Sequence, residues 1–248
     1  MMPLDQAEAV LWTQRILGGG LLLQSVELFM ARGIYSPSGA LNGRVSVNPL
    51  LAVRGAISIW LFVAPVNVNA SLSALLFAVL LVSTAWLVIR SRGPVCGGSD
   101  SMFFQVQLGL FLAALGFVHP VLPSLGLGWI AAQSVLSYFL AGVGKLRNSA
   151  WRDGSALRRL FTSNGPYVLW QGVRGLAQAK FLCVLLGFGI VLFELVFPLV
   201  LFMPTEWRYA FLGLALGFHA ANALVLGLNR FIWAWAATYP ALLFFHPR

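Results

Sequence analysis

Long apolar stretches separated by short polar breaks dominate this chain. A stretch of about twenty apolar residues crosses lipid only as a helix, because every backbone amide must find its partner within the segment. The pattern predicts eight such helices, two of them short, over residues 10–30, 47–65, 71–89, 102–122, 125–144, 181–203, 209–228 and 231–245. Turn-forming residues part them: Ser36-Pro37-Ser38-Gly39, the stretch 65–70, Gly93-Pro94 with Gly97-Gly98-Ser99-Asp100, and the stretches 120–124 and 204–206. None of these linkers is long enough to be a second domain. The predicted architecture is therefore all-α, a polytopic integral membrane helix bundle of about eight spans, forming a single domain over residues 1–248.

Composition agrees. Of 248 residues, 59% are hydrophobic and only 9% charged, which excludes a disordered chain, a coiled coil and most water-soluble enzymes. Two cysteines, Cys96 and Cys183, exclude a disulfide framework and a multi-cysteine metal site. Acidic Asp5 and Glu8 stand where a signal peptide would be basic, so the first helix is expected to be retained. Sixteen Lys and Arg against seven Asp and Glu give +9, which in so apolar a chain orients helices and meets anionic membrane lipid, with no nucleic-acid partner expected. Most of the cations (Arg32, Arg44, Arg90, Arg92, Arg230 and the run from Lys145 to Lys180) fall on one side of the eight-helix arrangement. The positive-inside bias makes that side cytoplasmic and puts both termini outside, in a bacterial inner membrane. The segment of about 146–180 mixes Trp151, Leu157, Leu160, Phe161, Tyr167 and Trp170 with Arg152, Arg158, Arg159 and Arg174, a composition suited to helices lying in the interface.

An ionisable residue at membrane depth needs a partner, water or neutralisation. Five qualify: Arg15, Glu27, Arg54, Glu194 and His219. Pairing between helices is the expected structural solution, with Arg15 or Arg54 neutralising Glu27 or Glu194. His219 is followed by Asn222 at helical spacing, a polar strip that should face the bundle interior. The three histidines are too scattered for a metal site, and no metal is expected. The densest constellation closes the fifth predicted helix, where Ser134, Ser137, Ala141 and Lys145 share a face beside Tyr138. Ala141, Gly142 and Gly144 would let a neighbour approach the backbone. Lys145 either snorkels to the interface, as helix-end lysines do, or serves as a base or nucleophile in a desolvated groove.

The run Tyr138-Phe-Leu-Ala-Gly-Val-Gly-Lys145-Leu-Arg-Asn-Ser-Ala-Trp151-Arg-Asp-Gly154 resembles the signature of the HTTM (horizontally transferred transmembrane) family, which includes vitamin K-dependent gamma-glutamyl carboxylase. Gly97-Gly98-Ser99-Asp100, Phe193-Glu194-Leu195-Val196-Phe197-Pro198, and His219-Ala-Ala-Asn222 leading to Trp233 are similar to that family as well, in the same order. The resemblance implies that Lys145 matches the lysine that deprotonates reduced vitamin K, which starts epoxidation and glutamate carboxylation. It also implies a reduced naphthoquinone as cofactor. One branch of the family resembles a membrane factor that helps mature a secreted toxin.

Three functions follow as expectations. The first is an intramembrane enzyme of the carboxylase type acting on a peptide or small acid, with Lys145 and His219 as catalytic candidates and Tyr138, Trp151, Glu194 and Asn222 as cofactor-binding candidates. The second is a non-enzymatic factor that docks a secreted peptide or a soluble partner subunit on the basic interfacial segment. The third is a lipid- or solute-binding scaffold, in which the buried ionisable residues line a path; Gly18-Gly19-Gly20 is read as close helix packing and not as a helix break.

Overall fold

The computed structural model describes residues 4–30, 48–63, 70–91, 97–162 and 171–245. The predicted turns at 36–39 and 93–94, Cys96, Tyr167, Trp170, His246, Arg32 and Arg44 lie outside them. All regular structure among the described residues is helical. In chain order the α-helices are α1 (Gln6–Met30), α2 (Asn48–Val63), α3 (Ala70–Ser91), α4 (Gly98–Ala114), α5 (Leu122–Arg147), α6 (Ser149–Arg152), α7 (Ser155–Thr162), α8 (Lys180–Val196), α9 (Thr205–Leu226), α10 (Asn229–Ala236) and α11 (Tyr239–Phe244). Tighter 3-10 turns follow α4 at Leu115–Phe117, precede α8 at Gln171–Gln178 and extend it at Phe197–Leu201.

Five helical stretches among the described residues are long and apolar enough to cross a membrane: Ala70–Ile89, Gly98–Phe117, Leu122–Arg147, Lys180–Leu201 and Thr205–Leu226. This is fewer than the eight expected. The last predicted span is two short helices, broken before Tyr239-Pro240, where proline lacks the amide hydrogen that would continue the ladder. The second is a shorter apolar helix, Pro49–Val63. The first is a 25-residue helix whose polar members, Gln14, Arg15, Gln24, Ser25 and Glu27, keep it below the apolarity of a span. In the segment expected at the interface, α6, α7 and the turn at Gln171–Gln178 are indeed helical.

The described residues form two compact units, one of those up to 131 with 233–245 and one of those from 132 to 232. In the first, glycine sets the helix spacing. A Cβ on Gly18 would stand 2.8 Å from the Phe62 nitrogen and the Ser58 oxygen of α2, so only hydrogen lets α1 and α2 meet there. Gly19 and Gly20 take the Trp233 and Phe103 side chains against the same helix, as the close-packing reading of the triple glycine expects. On α4 and α5, Gly109 and Gly126 face each other so closely that a side chain on either would run into the other's carbonyl oxygen.

Inside this unit lies a polar network. Arg54, fully buried on α2, donates through Nη1 to Ser83 Oγ and Thr84 Oγ1, both at 2.7 Å, and through Nη2 to Gln24 Oε1 at 2.7 Å. The other end of the Gln24 amide donates to Asp100 Oδ1 at 2.6 Å, and Thr84 Oγ1 donates to Gln107 Oε1 at 3.0 Å. Asp100 also accepts from the Gly97 amide at 3.3 Å, closing the first turn of α4. The guanidinium thus meets its counter-charge through one amide, and helices α1 to α4 are joined in a single hydrogen-bonded system. Arg54 reaches Asp100 through Gln24, where the sequence reading expects Arg15 or Arg54 to neutralise Glu27 or Glu194, and Arg15 sits 5.5 Å from the centre of the Trp12 ring.

Breaking one partner of a buried charge pair typically costs about 3–5 kcal/mol, because the remaining charge stays behind unmatched. Asp100→Ala and Gln24→Leu are therefore expected to destabilise the protein comparably, each within that range. Thermal unfolding of the purified variants checks this, and a small effect of Gln24→Leu beside a large one of Asp100→Ala would show that the amide link is dispensable.

Candidate functional site

The second unit gathers most of the predicted site residues around α8. On this helix Cys183, Gly187, Val191 and Glu194 are buried, a stripe at helical spacing on an otherwise largely exposed apolar cylinder. The C-terminal half of α5 packs on that stripe at Gly142, where a Cβ would stand 2.9 Å from the Leu195 nitrogen and 3.1 Å from Glu194 Cβ. Of the small residues expected to admit a neighbour, Gly142 does so, whereas nothing lies within 4 Å of a Cβ built on Gly144.

Gly142 is three residues before Lys145, so the close approach brings the lysine to the carboxylate. Lys145 Nζ donates to both Glu194 oxygens at 2.6 Å. The lysine side chain is 22% exposed and the glutamate 5%, so the pair has one edge toward the surroundings and one in the protein. Lys145 lies in the last turn of α5, at the helix end where the sequence reading puts it. Glu194, expected to be paired, protonated or facing water, is paired.

Trp151 places its ring centre 5.2 Å from Lys145 Nζ, a cation–π arrangement. It is carried by α6, which Asn148 caps by accepting the Ala150 amide at 3.0 Å. Gly154 then turns the chain at φ 75, a left-handed conformation that suits glycine, and a Cβ there would stand 2.8 Å from the Val184 nitrogen. Asp153 accepts the Ser155 amide at 2.8 Å, opening α7. Hydrogen bonds from the Ser155 hydroxyl and then its amide hold the Asp153 carboxyl below the usual carboxylate range.

One and two turns back along α5 the surroundings change from charged to aromatic. The Tyr138 hydroxyl is 2.6 Å from His219 Nε2, and both residues are buried. The Tyr138 ring stacks on Phe197 at 3.7 Å between centres and meets Phe193 edge-on at 5.9 Å. Phe193 also contacts Phe211 and Phe218, and the His219 ring lies 5.2 Å from Phe218. His219 is on the buried stripe of α9 with Leu212, Ala215 and Ala223. The Lys145 charge lies within electrostatic range of its ring. Asn222 follows one turn later and is half-buried; Gly227, left-handed at φ 70, closes the helix.

The structure therefore brings together Tyr138, Lys145, Trp151, Glu194 and His219, with Asn222 adjacent along α9. The phenylalanine enclosure escaped the sequence reading, because phenylalanine is abundant throughout an apolar chain and its spacing carries no mark of function. Cys183 is buried and donates to the Leu176 carbonyl at 3.4 Å. Among the described residues, no group of three or more His, Cys, Asp or Glu side chains could hold a metal ion.

Apolar helices of spanning length and a buried ion pair define an integral membrane protein with polar chemistry inside its helical unit. The HTTM domain model matches residues 117–248, more than half of the chain and all of these site residues, and the protein belongs to the HTTM family. No curated protein and no solved structure matches the chain.

A double-mutant cycle measures the ion pair. Lys145→Met leaves a carboxylate that is almost fully enclosed, whereas Glu194→Leu leaves a lysine with an open edge. The first is expected to lower stability by about 2–3 kcal/mol and the second by less, with the double variant recovering part of the loss. Strict additivity in thermal unfolding would show that the two side chains are not coupled.

Proposed function

We propose that the Lys145–Glu194 pair and the neighbouring Tyr138–His219 pair form an intramembrane proton-transfer site for a reduced naphthoquinone, used to carboxylate or otherwise modify a peptide or small acid. The carrying observation is the lysine held by both carboxylate oxygens at 2.6 Å beside an aromatic enclosure with its own hydrogen-bonded hydroxyl and imidazole. These residues fit such a ligand by type: flat aromatic faces from Phe193, Phe197 and Phe218, with polar atoms of Tyr138 and His219 beside them and Asn222 one turn further along α9. When bound, the quinol supplies reducing power and an acidic hydroxyl. The family resemblance of the Lys145 motif adds support.

The roles of the protein's own groups follow from their placement. In a low-dielectric site an ammonium–carboxylate pair and the neutral amine–carboxylic acid pair differ only by a proton shift within the hydrogen bond. Glu194 holding that proton leaves Lys145 Nζ as an amine able to take another from a ligand hydroxyl. With His219 Nε2–H donating to Tyr138 Oη, the hydroxyl hydrogen is left to orient a ligand oxygen and to bond charge that develops there. The phenylalanines exclude water. We place the protein in a bacterial cytoplasmic membrane.

A second reading rests on exposed Arg147, Arg152, Arg158 and Arg159 beside the site. There the protein is a non-enzymatic factor that docks a secreted peptide or soluble partner on α6 and α7. Function lost with Lys145→Ala but kept with the Arg158→Ala, Arg159→Ala pair favours chemistry, and the reverse pattern favours docking.

A ligand that binds only the folded state raises apparent stability, by about 2.7 kcal/mol at a hundredfold excess over Kd. A naphthoquinone is expected to raise the melting temperature of the purified protein in a dose-dependent way, and the shift is expected to vanish in Lys145→Ala and His219→Ala. Absence of any shift with quinone or quinol would reject the site in favour of the docking reading.

A further inference from the structure

The Lys145 ammonium has two neighbours of different kinds, the Glu194 carboxylate and the face of Trp151. We infer that Trp151 is a positioning residue, which presses Lys145 Nζ against Glu194 and covers part of its exposed surface. This rests on the reading of Lys145 as the working group of the site. It changes the role of the tryptophan from a surface for a ligand to a cover over the lysine, since the indole face already meets a cation.

The backbone around Trp151 is fixed to α8 on both sides. The Trp151 carbonyl oxygen comes so near Gly187 that a Cβ there would stand 2.7 Å from it. Three residues on, Gly154 is seated against Val184 and Cys183 in its left-handed conformation. Before it, the Asn148 cap sets the start of the single turn of α6. Gly187 and Glu194 are seven residues apart on α8, two turns along one face. Anchoring the indole's backbone at Gly187 therefore places the ring beside a lysine that reaches for Glu194. An aliphatic chain in place of the indole would not reproduce this, because the attraction depends on the electron-rich face of the ring. The side-chain exposure of 22% at Lys145 is what remains open with the indole in position.

The sequence supplies its own control, since Lys145 and Lys180 are its only lysines. Lys180 is exposed at the start of α8, with no aromatic face over it among the described residues. Full-length protein in detergent is pulsed with a water-soluble succinimidyl ester at fixed pH, and modification of each lysine is followed by peptide mass spectrometry. In the wild type Lys145 is expected to react much more slowly than Lys180. Trp151→Ala is expected to raise the Lys145 rate on the order of ten-fold relative to Lys180, while Trp151→Phe, which keeps an aromatic face, stays near the wild-type ratio. An unchanged ratio in Trp151→Ala overturns the inference. So does a parallel rise at both lysines, which would give Trp151 a purely structural role. Because no quinone enters this measurement, its failure is distinguishable from failure of the quinone-dependent thermal shift.

Discussion

A charge enclosed by apolar helices must be answered within reach of its own side chain, and both units of this protein are arranged around that requirement. In the first, Arg54 and Asp100 belong to different helices and meet through the Gln24 amide, with Ser83, Thr84 and the Leu80 carbonyl also accepting from the guanidinium. In the second, Lys145 and Glu194 meet directly. The difference matters for function. The first network is fully enclosed and ties four helices together, so its worth is structural. The second leaves one side of the lysine partly open, as the proposed proton exchange with a ligand requires.

Close approach is the geometric counterpart of that charge balance. Where helices must come near enough for short side chains to bond, the sequence places glycine: Gly18 between α1 and α2, Gly142 between α5 and α8, Gly187 under α6. At Gly142 and Gly187 the glycines also determine which residues can share a site, because each seats one contributor to the lysine's surroundings on α8. Packing and chemistry there are set by the same positions.

Helix class and membrane character were legible because apolar runs of spanning length leave few alternatives. The number of spans was less so. Hydropathy does not register the break before Pro240 as the end of one helix and the start of another, and the polar residues of α1 look minor one at a time. At the site, Lys145 and His219 stood out because ionisable residues are rare at depth. Their partners did not: the pairing of Lys145 with Glu194 spans 49 residues of sequence and that of Tyr138 with His219 spans 81, distances over which periodicity says nothing. The same holds for Gln24, an uncharged residue whose importance follows only from the two charges it joins.

That amide has a handedness of its own. Its oxygen faces the arginine and its nitrogen faces the aspartate, and half a turn about the terminal bond would exchange the two. The hydroxyls of Ser83 and Thr84 are equally reversible, each able to give or receive a hydrogen. A chain with the acid on α2 and the base on α4 would therefore find nearly every bond of this network waiting for it in mirror polarity. The Gly97 amide, which can only donate, and the Leu80 carbonyl, which can only accept, are the contacts that fix the present sense.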